Sequence, residues 1–292
     1  MRAGCFALLS LGLFPAGLAA QDTTPTGASA TSISRTSVVL FPAGDIFPVY
    51  IADPYRPNNV LDQRFHTRTE IPEAASPQTA LSAGGRYGVL RIDPLSPSGR
   101  AWQVSLEAGL DVLFDAQHKL DSIGWDGNYG LSVTTAAGGP LSLRFALLHL
   151  SAHLGDEYQD RTGRRRLNYT REELAIGWAW RLGARSRAYG EFGVAYKMRS
   201  DTQAPWRLQG GLEHQGEPRL LRKQFAWYAA ADVSSLQERD WRLDSAFEGG
   251  LVKWTNSRAY RIGVGYHNGR STLGEFTQAS ESWVSLFLKI DM

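Results

Sequence analysis

The chain has 292 residues, enough for one large all-β domain or two domains of ordinary size. Its 31 basic and 29 acidic residues give a net charge of +2 without a basic patch, so the sequence predicts no nucleic-acid partner. After the N-terminus, no apolar run reaches the roughly 18 residues that a membrane-spanning helix needs, which excludes a helical membrane protein.

Residues 1–20 are typical of a secretory signal peptide. Arg2 supplies the positive charge, residues 6–14 the apolar core, and residues 17–20 small side chains for cleavage. The single cysteine, Cys5, lies within this segment and too early for a lipoprotein cleavage site. The mature chain would therefore contain no thiol and no disulfide. Together with the strand pattern described below, export predicts the outer membrane of a Gram-negative bacterium.

Two segments separate the signal peptide from the first predicted strand. Residues 21–39 are rich in Thr, Ser, Ala and Gly, a composition that buries little surface and favours a flexible segment. Residues 40–59 are more apolar and contain several prolines, which exclude a helix and a central strand. We expect this second segment to pack on a barrel mouth or in its lumen; its prolines are Pro42, Pro48, Pro54 and Pro57.

The clearest strand runs over residues 102–115. A period of two places apolar side chains on one face and polar side chains on the other. Soluble strands usually have about five or six residues, whereas a tilted strand that crosses a bilayer needs about 9–11. The pattern therefore favours a transmembrane strand, whose apolar face carries Trp102, Val104, Leu106, Ala108, Leu110, Val112 and Phe114.

The same alternation recurs along residues 60–292, and it predicts an all-β protein: a monomeric, transmembrane, up-and-down antiparallel β-barrel of about twelve strands. Short turns at one end and longer loops at 154–170 and 270–279 are typical of outer-membrane barrels. An even number of strands also closes the sheet without a free edge. The predicted strands cover 60–70, 84–93, 101–115, 121–137, 140–153, 171–183, 186–199, 205–216, 222–236, 239–253, 257–269 and 280–292.

A soluble β-sandwich would also alternate, so it remains the alternative fold. Two features favour the barrel: large aromatic residues would crowd the single inner layer of a sandwich, and charged residues occupy the opposite face of nearly every strand. Charges of both signs in a narrow lumen favour an internal salt-bridge network over a selective pore. The predicted lumen charges are Glu107, Asp111, Asp126, Glu173, Arg181, Glu191, Lys197, Arg207, Glu213, Asp232, Arg242, Asp244 and Glu248.

Two short blocks resemble those of a known bacterial family. One is the proline-rich stretch at residues 47–57, and the other is the sequence His-Leu-Ser-Ala-His-Leu-Gly-Asp-Glu at residues 149–157. Both are similar to an outer-membrane family called domain of unknown function 1207, and the similarity extends from about residue 40 to the end of the chain. The resemblance implies a secreted outer-membrane protein and supplies no mechanism.

One group of residues has the pattern of a catalytic site. His149 and Ser151 are two apart on a predicted strand, so a base and a nucleophile would share one face. Glu172 on the returning strand can supply the third group, which orients the imidazole. The pair resembles the His-x-Ser of two outer-membrane lipid hydrolases, the phospholipase and the lipid A deacylase. That resemblance implies an outer-leaflet lipid esterase, although Ala152 departs from the asparagine that follows the serine there.

Two other interpretations of these residues remain open. His149, Ser151 and His153 can hydrogen-bond the base of the following loop, with Asp156 and Glu157 as partners and candidate binding residues. The histidines and one of those carboxylates could instead bind a metal ion, although exposed carboxylates usually meet solvent. The sequence contains no phosphate-binding loop and no zinc-site spacing, so we expect no cofactor and no metal.

Two functional hypotheses follow. The first is a structural, binding or narrow-channel protein of the outer membrane, and the alternative is the lipid esterase. Under both, the expected partners are outer-membrane lipid, lipopolysaccharide and the barrel-assembly machinery.

Overall fold

A computed structural model describes most of the chain after the N-terminal region. The predicted signal peptide, residues 1–20, and residues 21–36 of the predicted flexible segment lie outside the described residues. The described ranges are 37–56, 58–74, 77–94, 99–199, 204–256 and 258–291.

Strands dominate the described part of the chain. The only α-helix there is α1 (Asp156–Thr162), and short 3-10 turns lie at Ala116–His118, Gln237–Arg239 and Gly274–Phe276. No helix among the described residues is long and apolar enough to cross a membrane. The strands are β1 (Ser37–Leu40), β2 (Asn59–Thr69), β3 (Gln78–Asp93), β4 (Arg100–Asp115), β5 (Asp121–Ala137), β6 (Leu141–Leu154), β7 (Thr170–Arg181), β8 (Ser186–Arg199), β9 (Trp206–Gln215), β10 (Ala226–Leu236), β11 (Leu243–Trp254), β12 (Ala259–Arg270) and β13 (Ser280–Asp291).

Strands β2 to β13 form one closed antiparallel sheet. Each pairs with its neighbours in sequence, and β13 returns to pair with β2, so that Leu286 lies opposite both Val264 of β12 and Gln63 of β2. Closure leaves no free edge around the ring. The predicted transmembrane up-and-down barrel of twelve strands is confirmed.

The two ends of the barrel differ in the length of their connections. We call the end with the short turns 138–140, 182–185 and 255–258 the turn rim; it also carries the longer connection 216–225. The opposite end, which we call the loop rim, carries the longer loops 155–169 and 271–279. Helix α1 lies in the first of these loops.

The distribution of apolar residues is that of a membrane barrel. Leu106 of β4 and Leu286 of β13 point outward and are 52% and 58% exposed. Their strand neighbours Glu107 and Ser285 point inward and are 6% and 1% exposed. Apolar residues outside and polar residues inside are the reverse of a soluble domain, so the β-sandwich alternative is wrong.

Strand β1 was not expected from the sequence. Residues 37–39 belong to the segment whose composition predicts flexibility, yet Ser37–Leu40 pair with Leu90–Asp93 of β3. Strand β2 starts only at Asn59 and pairs with the other end of β3, as far as Ser82. Residues 90–93 of β3 therefore lack β2 as a partner, and β1 supplies their backbone hydrogen bonds instead.

Two predicted strands start too early. The pattern predicts starts at 222 and 239, whereas β10 begins at Ala226 and β11 at Leu243. Left-handed turns occupy the difference: Arg222 and Lys223 have φ of 61° and 64°, and Trp241 has φ of 60°. Such φ values are uncommon outside glycine. The residue types at these positions therefore give little indication of the turns.

Residues 41–56, which we call the inner segment, lead from the exposed Phe41 into the barrel. Phe47 is fully buried, Ile51 is 5% exposed and Asp53 is 2% exposed. The segment enters beside β1 at the turn rim and extends to Tyr55, whose hydroxyl donates to the carbonyl oxygen of Arg270 at the loop rim, 3.2 Å away. Strand β2 begins at the turn rim, at Asn59.

Candidate functional site

The turn-rim half of the inner segment is held through its backbone. Arg187 of β8 donates to the carbonyl oxygens of Pro48 and Val49, each at 2.7 Å. The amide of Ile51 donates to Glu213 of β9 at 2.6 Å. Prolines stiffen the segment and prevent it from forming a helix or strand of its own, so charged side chains of the wall satisfy its backbone groups.

The inner segment is also held through the side chains of Tyr50, Asp53 and Arg56. Arg56 forms an ion pair with Glu191 of β8 at 2.5 Å, and the hydroxyl of Tyr50 donates to the same carboxylate at 3.2 Å. Gln209 donates to Asp53 at 2.7 Å. These contacts fix the segment across the middle of the lumen.

Aromatic contacts reinforce this position. The ring of Tyr50 stacks on Tyr189 of β8 with the ring centroids 3.8 Å apart. The guanidinium of Arg270 lies 3.5 Å from the centroid of Tyr55.

Glu191 is the centre of a buried network of charges. Besides Arg56, its carboxylate accepts hydrogen bonds from Arg144 of β6 at 2.7 Å and from Arg207 of β9 at 2.5 Å. Arg144 also reaches Glu107 at 2.5 Å, and Arg207 reaches Glu173 at 2.6 Å. The sequence predicted such a cross-lumen network from the mixed charges.

Three predicted lumen charges lie elsewhere. Arg181 and Arg242 are exposed near the rims. A β-bulge between Glu172 and Glu173 shifts the register of β7 and β8, so that Lys197 lies opposite Glu172 on the outer face. The prediction is wrong for these three residues because alternation fails at rims and bulges.

The inner segment separates two cavities. A vestibule of about 870 Å³ opens at the turn rim and is lined by Arg187 and Arg261, among others. A chamber of about 100 Å³ lies toward the loop rim, lined by Tyr55, Asp111 and other residues. The two cavities share no lining residue, and the inner segment lies between them together with the Glu191 network.

The loop rim is covered by residues 271–279. The amide of Gly274 donates to Asp126 inside the barrel at 2.9 Å. Glu275 is buried and accepts a hydrogen bond from the amide of Leu167 at 2.8 Å, which joins this loop to the loop that follows α1. The chamber is therefore covered from both sides.

On the outer face, the structure brings two of the predicted catalytic residues together. His149 of β6 lies directly opposite Glu172 of β7, and the imidazole Nδ1 is 2.6 Å from the Glu172 carboxylate. The ring of His149 stacks on Tyr129 of β5 with the centroids 4.1 Å apart. Ser151, two residues further along, lies opposite Thr170.

The hydroxyl of Ser151 forms its hydrogen bond with a different histidine. Its Oγ is 3.1 Å from Nε2 of His153, the next residue on the same face. The ring of His153 stacks on Trp125 of β5 with the centroids 4.0 Å apart and the planes 22° apart. In the sequence, the equal spacing of His149 and His153 from Ser151 was the only signal for this second pair.

The predicted binding residues Asp156 and Glu157 lie in the first turn of α1 and are exposed. Asp156 forms an ion pair with Arg166. Both carboxylates border a groove of about 360 Å³ that is also lined by Trp125 and His153. In the described ranges, no three His, Cys, Asp or Glu residues are grouped as a metal site would require.

Comparison with known proteins identifies the family of the chain and gives no activity. No curated protein matches the chain. Among solved structures, the KdgM porin in complex with disordered oligogalacturonate has 9% identity and a TM-score of 0.33, over 78% of this chain and 97% of the porin. The CymD monoaromatic hydrocarbon channel has 8% identity and a TM-score of 0.42, over 81% of this chain and 89% of the channel. The model of the family described as "Protein of unknown function (DUF1207)" matches residues 16–289, and the chain belongs to that family.

Proposed function

We propose that this protein is an outer-membrane β-barrel whose own inner segment closes the lumen, and that it acts as a structural or binding component and not as an open pore. The observation that carries the proposal is the Glu191 carboxylate. It receives Arg56 from the inner segment and Arg144 and Arg207 from two different strands.

Energetics favour a lumen that stays closed. Removing one partner from a buried ion pair costs about 3–5 kcal/mol, because an uncompensated charge remains in a poorly solvated site. Moving the inner segment would withdraw Arg56 from Glu191 and would also break the backbone contacts of Pro48 and Val49 with Arg187. The closed state is therefore stabilised by several contacts that break together.

The outer face supports the membrane location. Its exposed leucines, isoleucines and tryptophans would be costly in water and are favourable in lipid. Trp102 and Trp254 near the turn rim, and Trp125 near the loop rim, are at least 37% exposed. Aromatic side chains at both ends of a barrel are typical of the two membrane interfaces.

Conductance in planar lipid bilayers tests the closed lumen. The purified full chain is compared with a variant in which residues 45–56 are replaced by a Gly-Ser linker of equal length. A second variant, with the exposed residues 219–223 replaced in the same way, is the matched control. We expect few or no openings from the full chain and the control, and a conductance at least about tenfold higher from the first variant, because its lumen keeps only wall side chains.

The same recording defines the contradicting results. Steady conductance from the full chain, at the level of the 45–56 variant, would show that the inner segment does not close the pore. A closed 45–56 variant would show that the wall residues close the lumen without the segment.

A further inference from the structure

Ser151 lies between two histidines on the outer face, near the loop rim, and the hydrogen bonds that hold the inner segment involve none of these three residues. We propose that Ser151 and His153 form a hydrolase site that cleaves an ester-linked acyl chain from a membrane lipid with an anionic head group. Ser151 acts as the nucleophile and His153 as its base. This activity is independent of the closed lumen.

The geometry of the pair is that of an activated serine. Ser151 Oγ lies 3.1 Å from His153 Nε2, within the range for proton transfer between a nucleophile and a base. The stack on Trp125 holds the imidazole in place. Both side chains are half-buried, so a substrate can approach while bulk water is partly excluded.

The surroundings identify the class of substrate. On the same strand and the same face, beyond the His149–Glu172 pair, Phe145 and Leu147 are 44% and 46% exposed and form an apolar surface toward the middle of the barrel. An acyl chain in the bilayer would lie along this surface, with its ester near the rim, at the level of Ser151. A soluble substrate would gain nothing from such a surface.

Cationic side chains lie where a lipid head group would be. Arg165 and Arg166 are exposed in the loop after α1, and Arg166 lines the groove that His153 also lines. The bulge in β7 and β8 places Lys197 outward, opposite Glu172. Asp156, the ion-pair partner of Arg166, and Glu157 border the same groove. Phosphate groups pair well with arginine and lysine, so an anionic head group would replace Asp156 as the partner of Arg166 and would also contact Arg165 or Lys197.

The reaction balances without a cofactor. Ser151 Oγ bonds to the ester carbonyl carbon while its proton passes to His153 Nε2. The carbon–oxygen bond to the lipid alcohol then breaks, and the alcohol leaves with that proton. A water molecule, deprotonated by His153, cleaves the acyl-serine, which releases the fatty acid and restores the hydroxyl.

His149 provides the internal comparison. It is as close to Ser151 in sequence as His153, and it carries a carboxylate partner, Glu172, at 2.6 Å. Sequence alone therefore points to His149 as the base, whereas the hydrogen bond of Ser151 points to His153. The two assignments predict opposite outcomes for substitutions of the two histidines.

The experiment measures fatty-acid release by mass spectrometry from the full-length protein in mixed micelles. One set of micelles contains phosphatidylglycerol, and the other contains lipid A. We expect Ser151→Ala to remove the activity and His153→Gln to lower it by about 10²–10⁴-fold, the usual contribution of a general base. His149→Gln should lose far less, and Ser142→Ala, on the same strand, should leave the rate unchanged.

A covalent probe keeps the test independent of how well each variant folds. The unmodified protein is treated with an alkyl fluorophosphonate, and peptide mass spectrometry should locate the adduct on Ser151. Release from one lipid only identifies the source of the acyl chain. No release from either lipid, no adduct on Ser151, or full activity of Ser151→Ala would each overturn the site, and loss in His149→Gln with activity kept in His153→Gln would overturn the choice of base.

Discussion

At the scale of single residues, Glu191 shows how a narrow lumen holds charge. Its side chain is fully buried, yet guanidinium groups of Arg56, Arg144 and Arg207 surround it. Bonds between ionised partners are roughly twice as strong as neutral hydrogen bonds, which offsets the loss of hydration. The carboxylate is favourable there only while its partners stay in place.

The substitution Glu191→Ala should therefore be strongly destabilising. It leaves the buried guanidinium groups of Arg144 and Arg207 and the partly buried one of Arg56 short of a partner, and we expect the free energy of unfolding to fall by about 3–5 kcal/mol. Urea titration of the barrel in detergent micelles, followed by tryptophan fluorescence, measures the change. Glu217→Ala is the matched control, because Glu217 is 42% exposed and its two surface ion pairs, with Arg185 and Arg219, contribute about 1 kcal/mol or less each. Equal effects of the two substitutions would contradict the central role of Glu191.

The candidate site was only partly predictable at this scale. Strand periodicity and antiparallel return are enough to place His149 and Glu172 on one face, and the structure pairs them. They say nothing about the direction of a serine hydroxyl. Ser151 has a histidine two residues away on either side, and its rotamer decides which of them accepts the hydrogen bond. That choice depends on packing around Trp125 and Tyr129, which belong to another strand.

At the scale of strands, close contact between β11 and β12 depends on small residues. Gly250 and Gly263 lie directly opposite each other. A Cβ added to Gly250 would overlap the carbonyl oxygen of Ile262 and lie 2.6 Å from the Cα of Gly263. These atoms are backbone and cannot move aside as a side chain could.

We expect Gly250→Ala to lower the free energy of unfolding by about 1–3 kcal/mol, the usual range for overpacking. Gly139→Ala, in a turn of the turn rim where nothing lies within 4 Å of the added carbon, should change it far less. The two variants are compared by the shift in the midpoint of urea unfolding in detergent. A Gly250→Ala barrel as stable as the Gly139→Ala barrel would show that β11 and β12 can separate without cost.

The elements themselves were mostly predictable because a membrane strand has two different solvents on its faces. β4 alternates over its whole length and β5 does so beyond the irregularity at Ile123, so their predicted limits lie within one residue of the observed ones. The limits of β10 and β11 depend on left-handed turns at residues such as Lys223 and Trp241, which hydrophobic periodicity cannot reveal. The start of β3 at Gln78, six residues before the predicted start, was missed for a similar reason: the short residues before Gly84 alternate weakly.

At the scale of the whole molecule, the same residue type should behave differently inside and outside the lipid belt. Leu286 in the middle of β13 is 58% exposed, and Leu221 in the turn-rim connection 216–225 is 64% exposed. By accessibility alone the two are equivalent. Only Leu286 faces hydrocarbon, where a charge is expensive.

Leu286→Arg should make folding into lipid vesicles less favourable by about 2–4 kcal/mol, the range for arginine at the bilayer midplane. Leu221→Arg should stay within about 0.5 kcal/mol, as surface substitutions usually do. Reversible folding into vesicles over a guanidinium gradient provides both values. Equal tolerance of the two arginines would contradict a transmembrane position for β13.

Strand β1 has a mechanical consequence. It pairs with residues 90–93 of β3, while β2 pairs with residues 78–82 of that strand, so residues 41–58 are a closed loop with both ends fastened to one strand. Tension applied to the chain before Ser37 would load the β1 hydrogen bonds in shear and would reach the loop only after they ruptured. A force that displaces the loop while β1 stays paired must therefore act from within the barrel. Because both ends of the loop would still be attached to β3, they could not diffuse apart, and the loop would return to its position quickly.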